Sequence, residues 1–270
     1  MELKQENASE DSAAVVKDII KQFQAVNLPR LADIKLYSGI PFTVLDNFRH
    51  ALAEQCFEND KKKFLNRLKY AGIAKERTSD TFKWDGNTYP LAEPGIIERA
   101  LSIDFIKQRK NLIVAGPPGT GKSLLVTIVA CKALWANLSV KYKTGHDIAI
   151  DLKEARIGNS LSGYIKKLQS CDALFIEDVI FATFDNKSAQ SFFSIIDGRY
   201  GRKSTVITSN GNINDWAASF PDKRMSSALL GRFYEDALLV NMNGAEDFRL
   251  KQAKRLLDNS GLAGADRVCP

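Results

Sequence analysis

The sequence predicts an α/β fold: a five-stranded parallel sheet between helices, preceded by a small all-helical N-terminal domain. Three observations predict it. After Pro94, short apolar runs alternate with helical segments, the pattern of parallel strands covered on both faces. Residues 116–123 read Gly-Pro-Pro-Gly-Thr-Gly-Lys-Ser directly after one such apolar run. Before residue 72 the periodicity is helical.

The elements follow in chain order. Residues 1–10 are polar and read as a frayed terminus. From Asp11 a helix begins, with Val15, Val16, Ile19, Ile20 and Phe23 on one stripe. Asn27-Leu28-Pro29 ends it, because proline lacks a donor and restricts the residue before it. A second helix spans about Thr43–Ala71, with Leu45, Phe48, Leu52 and Cys56 on one side. Residues 72–95 carry turn chemistry: Gly72, Asp85-Gly86-Asn87, Pro90 and Pro94. The expected partition is a helical domain over 1–80, a linker over 81–95, an α/β domain over 96–260 and a tail over 261–270. Phe82 and Trp84 are expected to anchor the linker to an apolar surface.

Within the α/β domain the expected helices are Ile96–Arg109, Lys122–Trp135, Asp147–Arg156, Leu161–Leu168, Lys187–Tyr200, Asp222–Phe233 and Glu246–Leu257. The expected strands are Asn111–Ala115, Ser139–Lys143, Ala173–Ile176, Thr205–Thr208 and Ala237–Val240.

Composition excludes several classes. With 270 residues, 44% of them hydrophobic and 26% charged, the chain can bury a core and is not disordered. Its longest apolar stretch, around Leu124–Cys131, falls far short of the ~20 residues of a membrane span. No signal peptide begins at Met1, and Cys56, Cys131, Cys171 and Cys269 form no close pair. Reduced thiols and a cytoplasmic location are therefore expected, with no membrane partner. His50 and His146 are too far apart in sequence to suggest a His-rich zinc site. The net charge of +6 permits a nucleic-acid partner without requiring one.

The segment Gly116, Pro117, Pro118, Gly119, Thr120, Gly121, Lys122 and Ser123 matches G-x-x-x-x-G-K-[ST] in the strand–loop–helix setting that this motif needs. Glycines let backbone approach phosphate closely. The turn aims N–H groups inward, and the following helix N-terminus adds positive potential. Lys122 can reach the β- and γ-phosphates of ATP, and Ser123 can give its hydroxyl to Mg²⁺. An acid must stand near that Mg²⁺, and Glu177-Asp178 closes the apolar run Ala173–Ile176, where ligands of open parallel sheets lie. Thr205–Thr208 runs into Ser209-Asn210. Asn210 suits either a water- or γ-phosphate-holding amide or a simple helix cap.

Between Lys61 and Arg77 stand seven basic residues and one acid, Glu76. Lys61, Lys62, Lys63, Arg67 and Lys69 fit either phosphate contacts on DNA or a solvated helix face. Arg199, Arg202 and Lys203 form a second basic cluster, suited to a subunit interface or to DNA.

In their order, these motifs resemble the AAA+ ATPases, specifically the IstB/DnaC branch, and look most like IstB, the ATP-binding helper of insertion-sequence transposition. The resemblance covers roughly residues 25–255. It is carried by Phe105-Ile106 through Ser123, by Asp197–Arg202, by Ile207–Trp216, by Leu229-Leu230-Gly231-Arg232-Phe233, by Asp247-Phe248-Arg249-Leu250 and by the N-terminal Leu28-Pro29. It implies a ring- or spiral-forming self-oligomer with ATP at each subunit interface. Arg232 would then reach a neighbour's γ-phosphate in trans, Arg249 would act on nucleotide within its own subunit, and Asn210 would be the first sensor. The implied function is ATP-dependent oligomerisation on duplex DNA in support of a transposase. The sister reading is a replicative helicase loader, which shares the ATPase core. A small-molecule kinase would share the loop but explain neither Arg232 nor Ser209-Asn210. In one respect the chain departs from the family: Glu177 stands where Asp is usual on the Mg²⁺ side, and Asp178 follows it. Slow hydrolysis is expected, since ~1 Å of misplacement can cost about a hundredfold in rate.

Overall fold

The computed structural model describes residues 2–25, 31, 33–37, 39–81, 84, 87–179, 182–210 and 220–259. Leu28-Pro29, Phe82, Trp216, Cys269 and the tail lie outside the described residues. The chain divides into two compact units, Met1–Asn66 and Arg67–Pro270.

The first unit contains α1 (Glu2–Ala25) and most of α2 (Phe42–Ala71), with a 3-10 turn at Ile34–Tyr37. Val15, Val16, Ile19 and Phe23 form the expected stripe and bury against Leu45. Phe23 also meets Phe48 at 5.9 Å between ring centroids. Helix α1 begins well before Asp11. Its first residues include Glu, Leu, Lys, Gln and Ala, all good helix formers, and propensity extends the helix beyond its apolar stripe.

The second unit opens with the end of α2, ahead of the Gly- and Pro-rich stretch at 72–95. The end of α2 and the start of that stretch lie against β2: Lys141 Nζ donates to Tyr70 O at 2.6 Å, and a Cβ at Gly72 would meet Tyr142 O at 2.7 Å. Within the stretch Trp84 stacks on Tyr89 at 5.8 Å. Next come α3 (Ile96–Ser102) and α4 (Asp104–Lys107), where one helix was expected. Ile103 separates them at φ 60°, held by its own burial.

The rest alternates as the sequence predicts: β1 (Leu112–Ala115), α5 (Lys122–Trp135), β2 (Val140–Thr144), α6 (Gly145–Ile157), α7 (Leu161–Ser170), β3 (Ala173–Glu177), α8 (Asn186–Arg199), β4 (Ser204–Ser209), α9 (Lys223–Tyr234), β5 (Leu238–Asn241) and α10 (Phe248–Asn259). The five strands pair in parallel, in the order β2-β3-β4-β1-β5. Strand alternation sends Ile113, Leu174, Ile176 and Ile207 to one face, against Ile148, Leu152, Phe192 and Ile195 of α6 and α8. Helix α5 packs on the sheet as well, burying Leu125, Val126, Ile128 and Val129.

Arg199 is 1% exposed. Its guanidinium donates to the carbonyls of Leu168 at 2.6 Å and Cys171 at 2.9 Å, to Ser204 O and to Thr205 Oγ1 at 3.2 Å. It thus satisfies the carbonyls that α7 leaves open at its end. Arg199 is therefore a structural ligand of the interior and leaves the surface cluster proposed for it. Lys203 pairs with Asp172 at 2.6 Å.

Candidate nucleotide-binding site

The phosphate loop leaves β1 at Gly116 and enters α5 at Lys122. Three of its residues show why the sequence needs glycine or a small residue there. A Cβ at Gly116 would sit 2.8 Å from Met242 Cβ, and Gly119 and Gly121 adopt φ 78° and 95°, values that favour glycine. Helix α5 starts without a side-chain cap, so its first N–H groups face the loop rather than a capping oxygen. Thr120 is buried; its carbonyl accepts from Tyr89 Oη at 3.0 Å and its hydroxyl donates to Pro117 O at 2.9 Å. Lys122 is 5% exposed and donates from Nζ to Pro117 O at 2.7 Å. Burial holds its ammonium below the ordinary lysine value; Asp178 opposes that shift and Arg249 adds to it.

The two acids end β3 and point differently. Asp178, at φ 51°, lies in the cleft with Gly119, Gly121, Lys122, Ser123, Asn210 and Arg249. Its N–H donates to Thr208 Oγ1 at 3.1 Å, and its Oδ1 accepts from Asn210 Nδ2 at 2.8 Å. Burial raises its pKa first and the charge of Glu177 raises it further, against Lys122 and Arg249. Glu177 lies beside Tyr142 and Thr127. Its Oε1 is buried without a hydrogen-bond partner among the described residues. Burial first, then the Glu177 charge, pushes the Tyr142 hydroxyl well above its ordinary range. That hydroxyl sits 3.1 Å from Thr127 Oγ1, which donates to Ser123 O at 2.6 Å.

The start of α10 closes the cleft. Phe248 N–H donates to Gly119 O at 3.1 Å, and Asp247 Oδ1 accepts from the N–H groups of Arg249 and Leu250 at 2.9 and 3.1 Å. Arg249 is exposed and lines the cleft of its own chain.

Arg232 lies elsewhere. Its carbonyl accepts from Asn111 Nδ2 at 3.0 Å, at the residue preceding β1. The phosphate loop leaves the other end of that strand. Five residue steps at ~3.3 Å put about 16 Å between them. Arg232 and the loop of one chain therefore occupy opposite ends of the sheet.

The basic segment lies on α2. Lys62 and Lys69 are exposed. Lys61 pairs with Glu58 at 4.0 Å and Lys63 with Asp60 at 3.1 Å, acids just outside the window that reads as basic. Arg67 is half-buried and donates to Leu134 O at 3.3 Å and to Asn137 Oδ1.

Sequence reasoning missed Tyr89, which fixes the loop at Thr120, as well as Met242 beneath Gly116 and the Tyr142–Thr127 pair beside Glu177. Tyr89 stands in the Pro-rich stretch, where no periodicity marks it as buried. Trp84 stacks on Tyr89 within that stretch, and Phe82 lies outside the described residues.

The family described as IstB-like ATP binding protein matches residues 40–256. A protein named for ATP binding in insertion sequence IS232 of Bacillus thuringiensis subsp. berliner is 32% identical over 151 residues, covering 56% of this chain and 60% of that protein. The corresponding protein of IS5376 from Geobacillus stearothermophilus is 26% identical over 76% of this chain and 80% of its own length. Among solved structures, a DNA replication initiation factor superposes with TM-score 0.54 at 21% identity, over 69% of this chain and 55% of that one. AMPPCP-bound DnaA from Aquifex aeolicus superposes with TM-score 0.53 at 20% identity, also over 69% and 55%. These likenesses show a shared fold. Among the described residues no helix is long and apolar enough to cross a membrane.

Proposed function

The chain belongs to the IstB-like ATP binding protein family, and from that premise we propose that it is a slow ATPase that assembles on duplex DNA when ATP is bound and supports a transposase. The observation that carries this reading is the separation of Arg232 from its own phosphate loop. An arginine at the far end of the sheet can meet a γ-phosphate only on a neighbouring subunit. Nucleotide bound between two subunits stabilises the assembled state by mass action.

In this reading the loop N–H groups from Gly116 to Ser123 and the Lys122 ammonium hold the phosphates. Lys122 exchanges its bond to Pro117 O for phosphate oxygen. The donor set that would hold a magnesium ion is a serine hydroxyl at a helix start and a Glu177 oxygen buried without a partner among the described residues. Such a site suits a cation that keeps several waters and is shared with phosphate. A magnesium ion held there would supply charge neutralisation to the phosphates. Asp178 accepts a proton from the attacking water, and Asn210 fixes the Asp178 carboxylate through its 2.8 Å bond. Its raised pKa brings Asp178 closer to a working general base. Arg249 meets the phosphates from within the chain. The Glu177 side chain, one methylene longer than the Asp usual there, shifts its carboxylate from the usual spacing, which supports slow turnover. Lys61, Lys62, Lys63 and Lys69, with Arg67 on the same helix, supply DNA backbone contacts in this reading.

The test is sedimentation with duplex or single-stranded DNA, in ATP–Mg²⁺ and in ADP–Mg²⁺. Large assemblies on duplex DNA in ATP alone are expected. Binding confined to single strands would replace this reading with that of a helicase loader.

A further inference from the structure

We infer that Phe193 and Asp197 clamp the Arg232 guanidinium in the orientation it needs to meet a neighbouring subunit's nucleotide, acting as positioning residues. This inference rests on the trans reading of Arg232 above.

Phe193 and Asp197 are four residues apart on α8, hence on one helix face, and that face meets α9. Arg232 donates from Nε at 2.8 Å and Nη2 at 2.7 Å to the same oxygen, Asp197 Oδ1. Its Nη1 donates to Ala228 O, one turn back on α9, at 3.0 Å. The guanidinium carbon lies 4.7 Å from the Phe193 ring centroid and 5.9 Å from that of Tyr200. Tyr200 in turn bonds the Glu235 carboxylate. Below the side chain, Asn111 binds the carbonyls of Arg232 and Phe233 at 3.0 and 3.3 Å, and its Oδ1 accepts from Thr205 N–H at 2.9 Å.

The pattern of used and unused donors gives this arrangement a direction. A guanidinium has five N–H donors. Among the described residues three are engaged, on Nε, Nη2 and Nη1, which leaves one on each terminal nitrogen. The end of the fork, between the two terminal nitrogens, is the edge that can grip phosphate bidentately. The aromatic face fixes the plane, the carboxylate fixes rotation within it, and the backbone bonds fix the origin. An arginine held this way loses little side-chain freedom on reaching phosphate. An ion pair whose carboxylate is exposed contributes little to folding, so its removal separates positioning from stability.

The test compares single-turnover ATP hydrolysis by wild type, Arg232→Ala, Asp197→Ala, Asp197→Glu and Phe193→Leu, with ATP affinity and Tm measured alongside. For Asp197→Ala, a loss of about tenfold to a hundredfold in the hydrolysis rate is expected, as for ~1 Å of misplacement. ATP affinity and Tm should hardly change. Asp197→Glu should recover part of the rate, and Phe193→Leu should lose less than Asp197→Ala. Mixing Asp197→Ala with Asp178→Asn subunits should restore hydrolysis, because the second variant supplies an intact clamp and arginine in trans. Persistent loss in that mixture would mean that Asp197 serves its own subunit's site and would overturn the clamp. Full activity of Asp197→Ala beside an inactive Arg232→Ala would overturn the clamp and leave the trans reading standing. Full activity of Arg232→Ala would overturn both.

Discussion

At the phosphate-loop end of the sheet, charged groups are held under tension. Glu177 Oε1 is buried without a partner among the described residues, Asp178 is strained at φ 51° and raised in pKa, and Lys122 is lowered by burial. At the other end, Arg232 engages three nitrogens with a carboxylate and a carbonyl, over an aromatic ring. Both ends hang on one strand, β1. The first carries costs that a polyanion and a cation can relieve, as binding sites do. The second is organised within the chain and, among the described residues, keeps two N–H donors in reserve. The contrast teaches that one end receives a ligand and the other is presented to a partner.

The largest way to break this comparison is at the catalytic acid. Asp178→Ala should lower single-turnover hydrolysis by about 10²–10⁴, the range for a lost general base, while ATP still binds. Equal losses of binding and hydrolysis would make Asp178 a binding group. Lys122→Ala should weaken ATP by about tenfold to a hundredfold or more, the worth of a charge-assisted hydrogen bond, read by equilibrium titration with a fluorescent nucleotide. Unchanged affinity would remove the phosphate loop from the account. At the opposite end, Asn111→Ala should cost about 1–3 kcal/mol of stability, because it strands the buried N–H of Thr205 and the carbonyls of α9. Chemical denaturation reads this, with nucleotide affinity unaffected.

A smaller effect sharpens the contrast through pH. The Asp178 pKa is raised on folding, so its contribution to stability is full below the ordinary value of 3.8 and is lost as pH rises through the folded value. Ionised Asp178 is therefore a cost near neutrality. Asp178→Asn should melt higher than wild type at pH 7.5, and the difference should shrink as pH falls toward 3.8. Asp172 behaves oppositely. Burial alone would raise its pKa, but Lys203 and Ser139 bring it down to about 2. Its contribution is present above 3.8 and lost as pH falls toward 2. A Tm advantage of Asp178→Asn that grew with acidity would contradict the account.

The two ends also differ in how far the sequence reveals them. Gly116 to Ser123 is contiguous, and each residue type reports a local requirement, so the loop and the helix that follows can be read directly. Glu177-Asp178 and Asn210 follow from their places after apolar runs. The Arg232 clamp joins residues 35 positions apart on two helices, and no local pattern pairs them. Arg199 misleads for the same reason. Beside Arg202 and Lys203 it reads as surface charge, yet its partners are the carbonyls that close α7, which exist only once the chain has folded. Tyr89 is hidden by its turn-rich neighbours, and the basic window on α2 hides the acids Glu58 and Asp60 one turn upstream. Strand boundaries shift by a residue or so because hydrophobic pattern marks burial, whereas pairing marks strands.

The central claim is that nucleotide held by one subunit is read by Arg232 of the next, and mixing tests it most directly. Arg232→Ala and Asp178→Ala, each inactive alone, are combined in equal amounts with DNA and ATP–Mg²⁺. In a head-to-tail assembly, about a quarter of the interfaces would pair an intact Asp178 with an intact Arg232 from the neighbour. The account predicts hydrolysis recovered to about that fraction of wild type. A mixture no more active than either variant alone would contradict it.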